Sequence, residues 1–269
     1  MNVSFYRPHS LLKEYIKGYT ISNLSSTGIE LIPGGYPAMG IVLDDAVQIE
    51  DQESKQQYNF PVHFLGQVTE FHRFIASVQN IINVIFEPWA PYELFGLPQW
   101  EFANTGTDGH AFIPEAEPLH AWLRESRHNS LKCIEILDRY FLTLLSGHSA
   151  RSKIPPAFFR HIQAERGNLT QKEILSRVYM GKTKFHEEFK NVTGISSKMY
   201  CRIIRFNRVY SDVLAKDAVR WKELIYDDYY DQAHFIKEFR HFTAASPSKK
   251  DIHAPGLCQH LLMAAKGNG

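Results

Sequence analysis

The sequence predicts an α+β chain. A small β-barrel or sandwich with helices appended at its C-terminal end is followed by an all-helical half. Three observations carry this. Short apolar, β-branched runs recur between Ile29 and Phe86, separated by turn signals such as Pro33-Gly34-Gly35 and Asp44-Asp45. From residue 157 the apolar positions switch to helical spacing. The charge also changes sign at the junction. Residues 1–150 carry 9 Lys+Arg and 17 Asp+Glu, net −8, and residues 151–269 carry 21 and 12, net +9, which together give the chain's +1. A basic half beside an acidic one predicts that only the former faces a polyanion.

The 269 residues are enough for one large domain or two ordinary ones, and the hydrophobic share of 44% supports a real core. No apolar run approaches the roughly 18–20 residues of a membrane span, so no membrane partner is expected. The N-terminus, MNVSFYRPHS, lacks a signal-peptide core, and a cytoplasmic location is expected. Cys133, Cys201 and Cys258 are few and far apart, in neither a disulfide framework nor a zinc spacing.

In chain order, residues 1–20 read as an amphipathic helical lead-in, with Pro8 at its start and Leu11, Leu12, Tyr15 and Ile16 at helical spacing. Strands follow at Glu30–Ile32, Met39–Leu43, Val62–Leu65 and Ile81–Phe86, with a polar loop or hairpin at Glu50–Tyr58. Pro88–Pro98 reads as a Pro-flanked turn and short helix, and Phe102–Phe112 as loop. Helices are expected at Pro118–Arg127 and Leu131–Leu145, the second ended by Gly147. The segment GHSARSKIPP is the best linker, small and polar and then Pro-Pro. The domain reading is therefore 1–148, a linker at 149–156, a helical domain at 157–255 and a tail at 256–269.

The helical half begins with Ala157–Arg166. Thr170 then caps a second helix, with Glu173 at the capping-box position. Lys182–Asn191 follows a turn at Gly181, with Phe185 and Phe189 on one face, and Ser197–Leu214 is a long helix. The stretch from Trp221 starts helical, breaks at Asp227-Asp228 and restarts at Asp231, a candidate N-cap. Beyond it Phe235, Phe239 and Phe242 share a face, and Gln232, His234 and Lys237 lie on the other. About 50 residues separate Phe185 from Phe235, and each sits in the same helix, turn, helix setting. This is a weak internal repeat of two helix-turn-helix units, the motif whose second helix enters a major groove.

Phe185, Phe189, Thr193-Gly194, Arg205, Asn207-Arg208, the run Tyr229-Tyr230-Asp231-Gln232-Ala233-His234-Phe235, Phe239 and Ser246-Pro247 resemble the DNA-binding domain of the AraC/XylS family of bacterial transcription regulators. The resemblance covers about residues 168–250 and implies two helix-turn-helix units, joined by a long helix, that read successive major grooves. The segments ELIPGG, FLGQV and INVIFEPWAPYELFG resemble the cupin-like sensor halves of some members. The resemblance thus implies a regulator of transcription whose N-terminal half senses a small-molecule effector or mediates dimerisation. Its partners would be double-stranded DNA, RNA polymerase and a second copy of the chain. No cofactor is implied.

For DNA contact the candidates are Lys182, Thr183, Lys184 and His186 in the first unit and Gln232, Ala233, His234 and Lys237 in the second. Gln pairs bidentately with adenine, Lys with guanine O6/N7, and Ala packs on a thymine methyl. Arg202, Arg208 and Lys249 are expected at phosphates, and Arg205 either there or in a structural ion pair. Glu187, on the exposed face of the first unit, accepts from cytosine or repels phosphate. Trp89, Tyr92, Phe95 and Trp100 form an aromatic cluster that lines a ligand pocket or packs the core. His63, Glu70 and His72 have metal-ligand chemistry, but His63 is out of phase with the others at period two, so no metal site is expected. No GxSxG, HExxH, P-loop or dinucleotide fingerprint is present, and no catalytic residue is expected. Two further readings fit the same residues: a protein-interaction module with a degenerate helix-turn-helix, and a cupin-like enzyme with an accessory basic domain.

Overall fold

Ten short strands form two antiparallel sheets in the computed structural model, which describes residues 2–24, 27–44, 49–53, 55–76, 78–147, 151–216, 229 and 231–247. The strands are β1 (Asn2–Tyr6), β2 (Ile16–Leu24), β3 (Thr27–Leu31), β4 (Ala38–Val42), β5 (Ile49–Asp51), β6 (Gln57–Tyr58), β7 (Val62–Leu65), β8 (His72–Ala76), β9 (Val78–Phe86) and β10 (Gly106–Asp108). The larger sheet has the order β1-β2-β9-β4-β7-β10 and the smaller β3-β8-β5-β6.

Two sequence expectations are corrected here. Residues 1–20 are not a helix: β1 pairs antiparallel with β2 from Asn2↔Asn23 to Tyr6↔Tyr19, around a single 3-10 turn at Ser10–Leu12. Leu12 is buried while Leu11 is exposed, so the helical spacing there was a coincidence of two apolar neighbours at a turn. The segment Phe102–Phe112 is not simply loop, because Gly106–Asp108 pairs with β7 as an edge strand.

The strand sequences read as continuous apolar runs because the larger sheet is covered on both faces. Met39 and Ile41 of β4, Val62 and Phe64 of β7, and Ile82 and Val84 of β9 share one core with the following helices. These are α1 (Ala90–Phe95), α2 (Ala116–Glu125) and α3 (Ser130–Ser146). Phe64 is the hub, edge-on to Phe95, Phe102 and Phe112. The alternate residues, at 38/40, 63/65 and 81/83, face the smaller sheet.

Among the described residues five helices follow: α4 (Pro156–Ala164), α5 (Gln171–Ser176), α6 (Lys182–Thr193), α7 (Ser197–Lys216) and α8 (Gln232–Thr243). The capping box at Thr170 forms as expected: its backbone N–H and hydroxyl both donate to Glu173 Oε2 at 2.7 Å. Phe158, Phe159, Phe185, Phe189, Tyr200, Phe206, Phe235, Phe239 and Phe242 build the core, each ring contributing roughly 1.5–3 kcal/mol by burial. Ile32, Phe71 and Trp89 of the first half join the same core. Residues 151–155 are laid onto α1, since buried Glu93 accepts from the backbone N–H groups of Arg151 and Ser152, both at 2.8 Å. The short helix expected from Trp221 to the break at Asp227-Asp228, residues 148–150 and the tail lie outside the described residues. So do Lys249, Lys250 and Cys258.

Candidate nucleic-acid interface and ligand cavity

The helices α6 and α8 are one design used twice. Both have twelve residues, and equivalent positions lie 50 apart: Phe185 and Phe235, Phe189 and Phe239, Thr193 and Thr243. At the C-terminal corner of α6 the Thr193 hydroxyl lies 2.8 Å from Phe189 O and 3.1 Å from Ile195 O. At that of α8 the Thr243 hydroxyl lies 2.8 Å from Phe239 O and 3.3 Å from Ala245 O. Each helix ends in a left-handed residue, Gly194 at φ +87° and Ala244 at φ +54°.

Burial repeats as well. The phenylalanines are inside, and the first turn of each helix is exposed. Lys182, Thr183 and Lys184 stand on the solvated front of α6, and Gln232, Ala233 and His234 on that of α8, with Lys237 one turn further on. His186 is half-buried beside the Phe185 ring. The apolar backs fix the helices, and free backbone N–H groups with positive dipole ends favour anions at the front. The N-caps differ. Asp231 Oδ1 accepts from His234 N at 2.7 Å, as its sequence position predicts, whereas Gly181 has no side-chain cap.

The arginines are more occupied than expected. Arg202, expected at a phosphate, joins α7 to α8: its Nε lies 2.7 Å and its terminal nitrogen 2.6 Å from Glu238 Oε1, a carboxylate that is 5% exposed. A carboxylate placed there needs a guanidinium beside it. Arg205 caps the Gly167-Asn168 turn, with Nε 2.8 Å from Asn168 Oδ1 and a terminal nitrogen 2.9 Å from Gly167 O. Arg208 is half-buried, 3.8 Å from Asp212. Lys198, not singled out in the sequence, is exposed with His234 and Lys237 on a cleft of about 640 Å³ between α5, α7 and α8. Only the packing of α7 against α8 brings it there.

The aromatic cluster does not line one pocket. Trp89 is buried, stacked on Phe159 at 5.2 Å in the core shared by the two halves, with Tyr92 packed nearby. Phe95 packs in the other core. Trp100 is 47% exposed under Lys190 Nζ at 5.9 Å. The cavity lies instead between the two sheets, with a volume of about 110 Å³. Ile29, Leu31 and Phe74 wall it on one side, and Ala38, Gly40, His63, Leu65 and Asn83 on the other.

Burial alone pushes the His63 imidazole down to about 4, so it is neutral at physiological pH. His72 faces a different partner, Asp51 Oδ2 at 2.8 Å from its Nδ1, and Glu70 is exposed. No group of three or more metal-ligating side chains converges among the described residues.

The cavity ends at Gly34 and Tyr36, part of a loop that also docks on the helical half. There Asn207 Nδ2 of α7 donates to Pro33 O at 2.8 Å, and Lys17 Nζ sits 4.6 Å over the Tyr36 ring.

The described molecule is thus a two-sheet, cavity-bearing half joined to a helical half with two equivalent solvated helices. No family model and no curated protein matches the chain. Among solved structures, ToxT from Vibrio cholerae O395 is similar at 10% identity and a TM-score of 0.45, over 95% of this chain and 99% of that one. Wild-type ToxT of V. cholerae strain SCE256 bound to unsaturated fatty acid is similar at 9% identity and a TM-score of 0.45, over 86% and 93%. The AraC-like transcriptional activator CuxR is similar at 14% identity and a TM-score of 0.28, over 78% and 86%. Likeness at these levels assigns neither activity nor ligand.

Proposed function

We propose that the chain is a sequence-specific DNA-binding regulator of transcription of the AraC/XylS type. Its N-terminal half senses a small molecule or mediates dimerisation, and it is not an enzyme. The observation that carries this reading is the pair of equivalent helices, each with an apolar back in the core and a solvated front of donors. Such a front is what a major groove accepts, and the chain presents it twice. In this reading Lys182, Thr183, Lys184 and His186 meet one groove segment, and Gln232, Ala233, His234 and Lys237 the next.

Glu187 and Lys237 occupy equivalent places with opposite charge. A carboxylate accepts from cytosine N4 and an ammonium donates to guanine O6/N7, so the two units read different bases and the target is asymmetric. The effector acts by population shift: occupancy of the cavity moves the loop at Pro33–Tyr36, and with it α7, which carries both units. A homodimer and contact with RNA polymerase complete the set of partners.

Mobility shift on the DNA upstream of its own coding sequence, across a salt series, tests the reading. Binding is expected to weaken steeply as salt rises, because each phosphate contact releases counterion. Absence of binding even at low salt contradicts the assignment and leaves the interaction-module reading in its place.

A further inference from the structure

We propose that the cavity between the sheets takes a small, uncharged, largely apolar molecule whose one polar group, a hydroxyl, pairs with His63 and Asn83. The proposal rests on the reading of the N-terminal half as a sensor and names the chemistry of what it senses.

Three observations lead there. The first is register. On the larger sheet Gly40 is directly opposite His63 on one side and Asn83 on the other, and Asn83 is opposite Thr20. Directly opposed residues of an antiparallel sheet face the same way. Thr20, Asn83, Gly40 and His63 therefore form a row across four strands, pointing between the sheets. In the middle of the row a side chain is missing. A Cβ on Gly40 would lie 2.1 Å from His63 Nε2, so the imidazole leans into the space that glycine leaves, toward Asn83.

The second observation is unspent hydrogen-bonding capacity. His63 makes no hydrogen bond among the described residues, and the ring nitrogen turned over Gly40 is Nε2, while Nδ1 is closed off behind it. Asn83 donates through Nδ2 to Thr20 Oγ1 at 3.3 Å, which leaves its carbonyl oxygen as an acceptor. Buried polar groups are ordinarily satisfied, and an unsatisfied one beside a cavity marks the place of an absent partner. A neutral imidazole offers one donor and one acceptor, and the amide oxygen a further acceptor. A hydroxyl, being both donor and acceptor, answers them together.

The third is the wall. Beyond the polar row it is aliphatic and aromatic, and none of its lining residues is Asp, Glu, Lys or Arg. A carboxylate or ammonium entering here would lose its hydration without gaining a counter-ion. The volume of about 110 Å³ is of the order of the ~150 Å³ apolar cavity that admits benzene. Ala38, Gly40 and Gly106 make the room, since larger side chains at those inward positions would fill it.

The test is calorimetric titration of the full chain, without DNA, using three ring compounds of matched size: benzyl alcohol, toluene and benzoate. Benzyl alcohol is expected to bind about tenfold more tightly than toluene, the contribution of one satisfied buried hydrogen bond. Benzoate is expected not to bind. In His63→Phe the preference for the alcohol over toluene falls to near unity while toluene still binds, which also reports that the variant is folded. A readout needing no variant is the 15N shift of the His63 ring, which benzyl alcohol is expected to move and toluene to leave. Benzoate binding as tightly as the alcohol overturns the proposal. So does failure of all three to bind, or an unchanged preference in His63→Phe. DNA binding is scored separately on the same preparation. Loss of ligand binding with intact DNA binding rejects this ligand class alone, and the reverse rejects the regulator reading alone.

Discussion

Helices α6 and α8 are the same element held in two different ways. Helix α6 is braced by the N-terminal half and the linker: Lys190 lies over Trp100, Gly194 sits against the Gln99 backbone, and Glu188 Oε1 accepts from Lys153 N of the linker at 2.8 Å. Helix α8 is braced by α7, through the Arg202–Glu238 pair and the Phe206–Phe242 contact at 4.9 Å. Among the described residues the position of α6 is thus tied directly to the N-terminal half, and that of α8 through the helix between them. On the proposed function, a signal from the cavity would reach the two units by different routes, and the spacing between them would be the controlled quantity.

The largest expected effect that sharpens this contrast is at the α7–α8 brace. Arg202→Ala strands the buried Glu238 carboxylate and is expected to cost about 3 kcal/mol in a urea melt. The surface change Lys182→Ala is expected to stay within about 0.5 kcal/mol. A near-neutral Arg202→Ala would mean that Glu238 is held by something else.

Next are the corners. Gly194→Ala is expected to cost about 2 kcal/mol: the residue has φ +87°, and a Cβ would lie 2.7 Å from Gln99 O. The opposite exchange at the equivalent corner, Ala244→Gly at φ +54°, is expected to stabilise by about 0.5–1 kcal/mol. Stability changes of the same sign at both corners would break the equivalence. The smallest pair concerns the N-caps. Asp231→Ala is expected to lose about 1 kcal/mol, and Gly181→Ser to gain a few tenths, both read from thermal melts.

Much of this was legible in the sequence because local chemistry decides it. Thr170 with Glu173, Asp231 with its phenylalanine stripe, and the strand at Val62–Leu65 all form where the pattern puts them. The N-terminal twenty residues were not legible, because Leu11, Leu12, Tyr15 and Ile16 satisfy helical spacing while strand pairing decides the outcome. The Arg202–Glu238 pair was not legible, because the partners are 36 residues apart and nothing local announces them. Trp89 and Trp100 read in the sequence as one aromatic cluster, lining a pocket or packing the core, yet one is in the shared core and the other under Lys190. The row of Thr20, Asn83, Gly40 and His63 exists only once strand register is known.

The most direct test of the central claim, that α6 and α8 each read one segment of the same duplex, is selection of bound sequences from a random duplex pool. Wild type is to be compared with Glu187→Lys and Lys237→Glu. Wild type is expected to enrich two unlike elements about 10 bp apart, one helical turn. Glu187→Lys should change only one of them, and Lys237→Glu only the other. Enrichment of a single element, both substitutions altering the same element, or no enrichment would contradict the account.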